Sequence, residues 1–175
     1  MMMTIGKGAA ILTDSKKLNA IMKDLRTHSG SRNYRLRYDY TITDYQAALG
    51  IEQLGHLGSV LERRKALGRY YVENLHANQS YYSLLEKNVA RDAFTGFPVF
   101  FEADTQITMK YFRSLRIATS KIMQPGPLHH LLALPASKYP NAERMYARAV
   151  VLPLYPTLKK AALERIVQAV KTFHP

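Results

Sequence analysis

Few residues in this 175-residue chain have types and spacings suited to chemistry, and several familiar arrangements are missing. The chain has no cysteine, which excludes a disulfide scaffold, thiolate metal sites and a cysteine nucleophile together. No Gly-x-Ser-x-Gly elbow, Walker loop or His-Glu-x-x-His pair occurs. His129 and His130 offer two imidazoles, but adjacent residues are poorly spaced to serve as two ligands from one helix face. No carboxylate lies near them in sequence, so no metal site is expected. Gly6 and Gly8 flank Lys7 in a turn that could cradle a phosphate, although tight turns use glycine for many other reasons; Lys7 reads as a solvent-facing turn residue.

Positive charge is the strongest compositional signal. Lysine and arginine total 25 against 13 acids, a formal charge of +12 with a pI near 9.9. That balance attracts phosphates, polyanions and acidic partners. The densest clusters are Arg32, Arg35, Arg37 and Arg63, Arg64, Lys65, Arg69, yet basic residues are spread along the whole chain. No groove-reading or base-stacking motif accompanies them, so the reading is a solvated basic face and nucleic acid is not expected as a partner.

The elements that must position these residues follow from periodicity. With 47% hydrophobic and 22% charged residues the chain can bury a core. Its longest apolar run falls far short of the roughly 20 residues of a membrane span. Met1 to Lys7 lacks a charged region followed by an apolar stretch, so a soluble, cytoplasmic protein with no membrane association is expected. Gly8 to Thr13 reads as a short buried strand, and Thr13 or Asp14 caps a helix bearing Leu18, Ile21, Met22 and Leu25 that His28-Ser29-Gly30 stops. Ser31 to Tyr40 is an ordered basic, aromatic loop. Thr43 and Gln46 then form a capping box that starts a helix of about 30 residues carrying Ala47, Ile51, Leu54, Leu57 and Leu61.

From Tyr81 the period changes. Phe97, Val99 and Phe101 mark a strand that Pro98 places at a sheet edge, because proline cannot donate to a ladder. A helix capped by Thr105, a strand over 117–122, a loop over 124–130, a helix capped by Asn141, a strand at Val150 to Leu152 and a helix burying Leu163, Ile166, Val167 and Val170 follow. The expectation is an α/β chain in two parts: residues 1–78, with the long linking helix, and a small α/β lobe over 79–175.

Several segments carry a resemblance. The run from Tyr38 to Leu54 (Tyr-Asp-Tyr-Thr-Ile-Thr-Asp-Tyr-Gln-Ala-Ala-Leu-Gly-Ile-Glu-Gln-Leu) closely resembles a signature of the DegT/DnrJ/EryC1/StrS aminotransferases. Gly6 to Asp14 is similar to that family's glycine-rich turn and strand, and Pro127-Leu128-His129 to its substrate-side loop. Pro140 to Arg144 and Val151 to Pro156 are similar to its C-terminal markers. The resemblance implies fold type I and pyridoxal-phosphate chemistry, mostly amination of nucleotide-linked keto-sugars. It covers nearly all of this chain but only the C-terminal half of a family member, so residues 1–78 are the remnant of the large cofactor domain plus the linking helix.

For individual residues, the resemblance implies that Asp39 stands where the family commonly has an asparagine reaching across a dimer to the partner's cofactor phosphate. A carboxylate there is unfavourable unless protonated or offset by Arg35 or Arg37, and the alternative is a loop aspartate paired with a neighbouring arginine. Thr41 replaces a family arginine. Tyr40 is either part of the cleft wall or a buried anchor, and His129 either touches substrate or is a structural loop residue. The covalent cofactor lysine would fall at or near Met1, so no catalytic residue is assigned within this chain. Two functions stay open: an aminotransferase-like chain working as a homo-oligomer or with a complementary cofactor-lobe chain, or a non-catalytic remnant that binds phosphate or a nucleotide-sugar weakly.

Overall fold

A computed structural model describes residues 3–6, 8–26, 33–76, 80–83 and 92–174. The chain separates into two compact units, Met1–Gly58 and Ser59–Pro175. The expected stop at residues 28–30, Arg32 and Lys7 lie outside the described residues.

In the first unit, α1 runs from Lys16 to Arg26. Ser15 caps it: the Ser15 hydroxyl accepts from the Leu18 amide at 3.3 Å, and Thr13 Oγ1 accepts from the Ser15 amide at 3.2 Å. The cap therefore falls just after the Thr13 or Asp14 expected from sequence. Residues 8–13 form no strand, and Leu12 is 94% exposed. An apolar run becomes a strand only where a second strand completes its ladder, and among the described residues of this unit none does. The capping box is formed as expected: Gln46 Oε1 accepts from the Thr43 amide at 3.0 Å, and Thr43 Oγ1 accepts from the Gln46 amide at 3.3 Å. It opens α2, Asp44–Asn74, a helix of 31 residues.

In the second unit the C-terminal half of α2 joins a four-stranded sheet made of β1 (Tyr81–Tyr82), β2 (Phe97–Phe101), β3 (Ser120–Lys121) and β4 (Ala149–Leu152). The order is β1-β2-β4-β3, and every pairing is antiparallel. Among the described residues, the α-helices α3 (Thr105–Ser114), α4 (Leu128–Leu131), α5 (Pro140–Arg148) and α6 (Lys160–Lys171) and a short 3-10 helix, Ala136–Lys138, accompany the sheet. Leu67 and Tyr71 of α2 and Leu75 just after it are buried with Phe97, Val99, Phe101, Val150, Leu152 and the α6 face. Phe101 meets Phe112 and Phe173 edge-on, at centroid distances of 5.8 and 5.3 Å. Each such side chain contributes about 1.5–3 kcal/mol by leaving water. That burial keeps the C-terminal part of α2, from Ser59, with the second unit.

Other local expectations shift for identifiable reasons. β2 is an interior strand, not an edge. Pro98 is tolerated because the β1 pairing covers only Phe100 and Phe101; next to Pro98 the Ser83 hydroxyl donates to its carbonyl at 3.1 Å instead. Asp104, not Thr105, caps α3, accepting from the Gln106 amide at 2.7 Å, while Thr105 is buried as the first helical residue. Pro140 opens α5 with Tyr139 as its cap, so Asn141 lies inside the helix. The strand expected over 117–122 is reduced to Ser120–Lys121, and the loop over 124–130 includes the start of α4.

Candidate functional sites

The first candidate site is the loop before α2. Asp24 on α1 gathers its arginines: Arg35 Nη1 donates to Asp24 Oδ2 at 3.3 Å and Arg37 Nε to Asp24 Oδ1 at 3.0 Å. Arg37 Nη2 also donates to Asn33 Oδ1 at 2.7 Å, and the Tyr38 amide to the Leu25 carbonyl at 2.9 Å. These bonds give the loop its order without regular secondary structure. Asp39 is exposed and accepts from the Thr41 hydroxyl at 2.7 Å. Tyr40 is exposed and stacks on Tyr38 with centroids 4.9 Å apart and planes 2° from parallel.

Pyridoxal phosphate, the cofactor the resemblance implies, needs a lysine amine and a phosphate cradle. Among the described residues before α2, the lysines are Lys16, Lys17 and Lys23, all on α1. The loop presents the Asp39 carboxylate, and the positive charge of Arg35 and Arg37 is shared with Asp24. By themselves these residues do not fit the cofactor.

The second candidate site lies within the second unit and was not anticipated as a cluster. Glu143 Oε1 sits 2.5 Å from both His129 Nε2 and His130 Nε2. The carboxylate that sequence proximity failed to supply arrives from α5, in the first turn of that helix, where an acidic side chain also suits the helix dipole. His129 is only 5% exposed, and its ring stacks on Tyr139 at 4.6 Å. The His130 ring meets Tyr146 edge-on at 5.6 Å, and Lys121 Nζ lies 4.7 Å from the centre of the Tyr146 ring. The turn after α4 is closed by the Leu134 amide donating to the His129 carbonyl at 2.8 Å and the Ala133 amide to the His130 carbonyl at 3.1 Å. Ala133 takes φ 51°, the left-handed conformation that closes such helix ends. Hydrogen bonds from His129 and then His130 hold the Glu143 carboxyl below the usual glutamate range, outweighing the opposing effect of burial. The residue expected to face substrate, His129, thus carries a buried ring bonded to Glu143. The sequence signal that could have found the trio is a carboxylate in the first turn of the next long helix.

Comparison with known proteins places these features. Residues 1–171 match the DegT/DnrJ/EryC1/StrS aminotransferase family. An uncharacterized protein of Methanocaldococcus jannaschii is 28% identical, over 96% of this chain and 50% of its own length. The dTDP-3-amino-3,6-dideoxy-alpha-D-galactopyranose transaminase of Aneurinibacillus thermoaerophilus is 23% identical over 95% of this chain and 47% of its own. Among solved structures, the putative sugar aminotransferase Spr1654 of Streptococcus pneumoniae, in its PMP form, superposes with a TM-score of 0.78 at 20% identity, over 94% of this chain and 46% of that one. The chain thus spans about half the length of these two relatives, and its mixed helix and sheet fold is that of about half of a fold-type-I sugar aminotransferase. With the match running through both units and nearly every described element, the chain belongs to the DegT/DnrJ/EryC1/StrS aminotransferase family.

Proposed function

We propose that these 175 residues act as the small-lobe half of a pyridoxal-phosphate-dependent sugar aminotransferase, one that transfers an amino group to a nucleotide-linked keto-sugar. The observation that carries this reading is the family match over residues 1–171 combined with coverage of about half of the relatives' length. On this reading the cofactor lysine and most of the cofactor lobe belong to residues outside these 175, and the 175-residue chain is inactive by itself. Asp39 and Tyr40 are assigned to the cofactor-facing loop and His129 to substrate binding from the substrate-side loop. The bare apolar residues of the first unit support self-association, or pairing with a cofactor-lobe chain, through residues from about 8 to 61: Leu12 and Ile51 are exposed, and Leu54 is 57% exposed. Among the described residues, no helix is long and apolar enough to cross a membrane, and a cytoplasmic location accords with this reading.

The test is amino transfer from glutamate to a nucleotide-linked keto-sugar, assayed with the purified chain alone and again with a cofactor-lobe half from a relative. Activity only in the mixture supports the reading. Turnover by the chain alone, abolished by borohydride, overturns its central assignment.

A second reading is a non-catalytic anion binder, favoured by the net charge of +12. Exposed charges are screened beyond about 10 Å at ~0.1 M salt, so phosphate or nucleotide-sugar binding of this kind is weak and falls steeply with ionic strength. Calorimetry at two salt concentrations separates it from a preformed pocket, whose affinity would hold.

A further inference from the structure

The trio at the α4–α5 junction has a donor set of which the aminotransferase reading uses His129 alone. Two imidazole nitrogens and one carboxylate oxygen all lie within 4.8 Å of one another. Successive residues of a helix diverge by about 100°, so adjacent histidines rarely serve one centre. Here α4 is only four residues long, and Glu143 reaches in from a separate helix, so both Nε2 atoms approach the same oxygen.

The three groups also divide the work a metal site requires. His129 is buried, stacked on Tyr139 and fixed by the turn that follows it, so one ligand is already positioned. The side chains of His130 and Glu143 are 39% and 33% exposed, which leaves an entry path and room for water to complete the coordination. Nitrogen and carboxylate ligands suit zinc and its first-row neighbours, whereas calcium and magnesium prefer oxygen-only shells. Zinc holds such ligands at about 2.0–2.2 Å, so the 2.5 Å contacts to Glu143 must open slightly as the ion enters. The accessible side chains of His130 and Glu143 are the ones able to move. Each imidazole would hold the ion through Nε2 as its Nδ1–H tautomer, so the contacts of both rings to the Glu143 oxygen give way as the ion enters.

We infer that His129, His130 and Glu143 form a binding site for a zinc-class dication, which clasps α4 to α5. The inference goes beyond the aminotransferase reading and needs no cofactor lobe. The full chain is titrated with Zn²⁺ against a chromophoric chelator, and with Co²⁺ followed by its visible ligand-field absorption. One equivalent is expected to bind. His130→Ala and Glu143→Gln should each weaken it by about 10-fold or more, since even outer-shell partners are worth 10–100-fold. His130 and Glu143 are partly exposed, so these variants are expected to fold, which circular dichroism checks. His56, paired with Glu52 at 3.0 Å on α2, belongs to no cluster of three such ligands among the described residues, and His56→Ala should leave the titration unchanged. Absence of binding, binding that survives both variants, or binding lost in His56→Ala each overturns the inference.

Discussion

Replacing Gly68 with alanine sets two effects of known sign against each other. In a helix interior the change is favourable by about 1 kcal/mol, because alanine loses less backbone entropy. At Gly68, however, a Cβ would lie 2.6 Å from three atoms of the Phe94 ring. Ordinary carbon contacts are about 3.5–4.0 Å, so that ring must retreat by about 1 Å. It has little freedom to do so. Phe94 is fully buried and holds φ 47°. Its amide donates to Asp92 Oδ1 at 2.7 Å, and its carbonyl accepts from Arg64 at 2.9 Å. Overpacking a well-filled core costs about 1–3 kcal/mol, and the pinned ring puts this site at the upper end. Gly68→Ala is therefore expected to lose about 1–2 kcal/mol net of the propensity gain. Gly55 on the same helix is the control: its added Cβ meets nothing within 4 Å, so Gly55→Ala should gain about 0.5–1 kcal/mol. Urea and thermal unfolding of the two variants beside the parent measure the difference. If Gly68→Ala proves as stabilising as Gly55→Ala, the packing of Phe94 against α2 is refuted.

Arg64 is 7% exposed and donates through Nη1 to the carbonyls of Phe94 at 2.9 Å and Leu154 at 3.2 Å, while its Nε has no partner among the described residues. Arg64→Met removes two charge-assisted bonds, each worth about 1.5–3 kcal/mol. Relief of a buried charge returns part of that, and chemical denaturation should show a net loss of about 2–4 kcal/mol. Glu143 is held below the ordinary carboxyl value, so its contribution to stability is complete above about pH 4.3 and fades as pH falls through the folded value. Glu143→Gln should flatten that acid limb in melts between pH 3 and pH 6, whereas an unchanged limb would show that the two imidazoles do not act on this carboxyl. Light scattering at micromolar concentration is expected to show at least a dimer, which Leu54→Glu dissociates or precipitates; a folded monomer indifferent to that change would rule out the first-unit face as the contact.

Signals contained within a few neighbouring residues were legible in the sequence. The Thr43–Gln46 box and the long helix after it, and the buried face of α6, need nothing from distant segments. Readings that depended on a partner failed or shifted. Residues 8–13 have strand composition but no ladder among the described residues, and Pro98 sits in an interior strand because β1 stops short of it. The caps moved to Ser15, Asp104 and Tyr139, since several polar residues compete for each helix start and only the backbone path selects among them. The Asp39 loop was legible as ordered and basic, but that Asp24 gathers its arginines was not. Glu143 lies 13 residues beyond His130, and only the turn between α4 and α5 brings the two together.

Arg63 and Arg64 bear on how the second unit is made. Arg63 donates to the carbonyls of Pro156 and Leu158 at 3.2 and 2.9 Å, and Arg64 to that of Leu154, so α2 is fastened to backbone synthesised about 90 residues later. β2 pairs from Phe97 to Phe100 with β4 in the same late stretch, and α6, which closes over the core, comes later still. A nascent chain emerging from the ribosome thus carries the apolar Leu67, Tyr71 and Phe97 before anything exists to cover them. Contacts so distant along the chain make closure slow and leave the intermediate prone to association. Folding of this unit consequently waits for β4 and α6, and a stop placed just before β4 leaves β2 without that neighbour and β3 without its pairing.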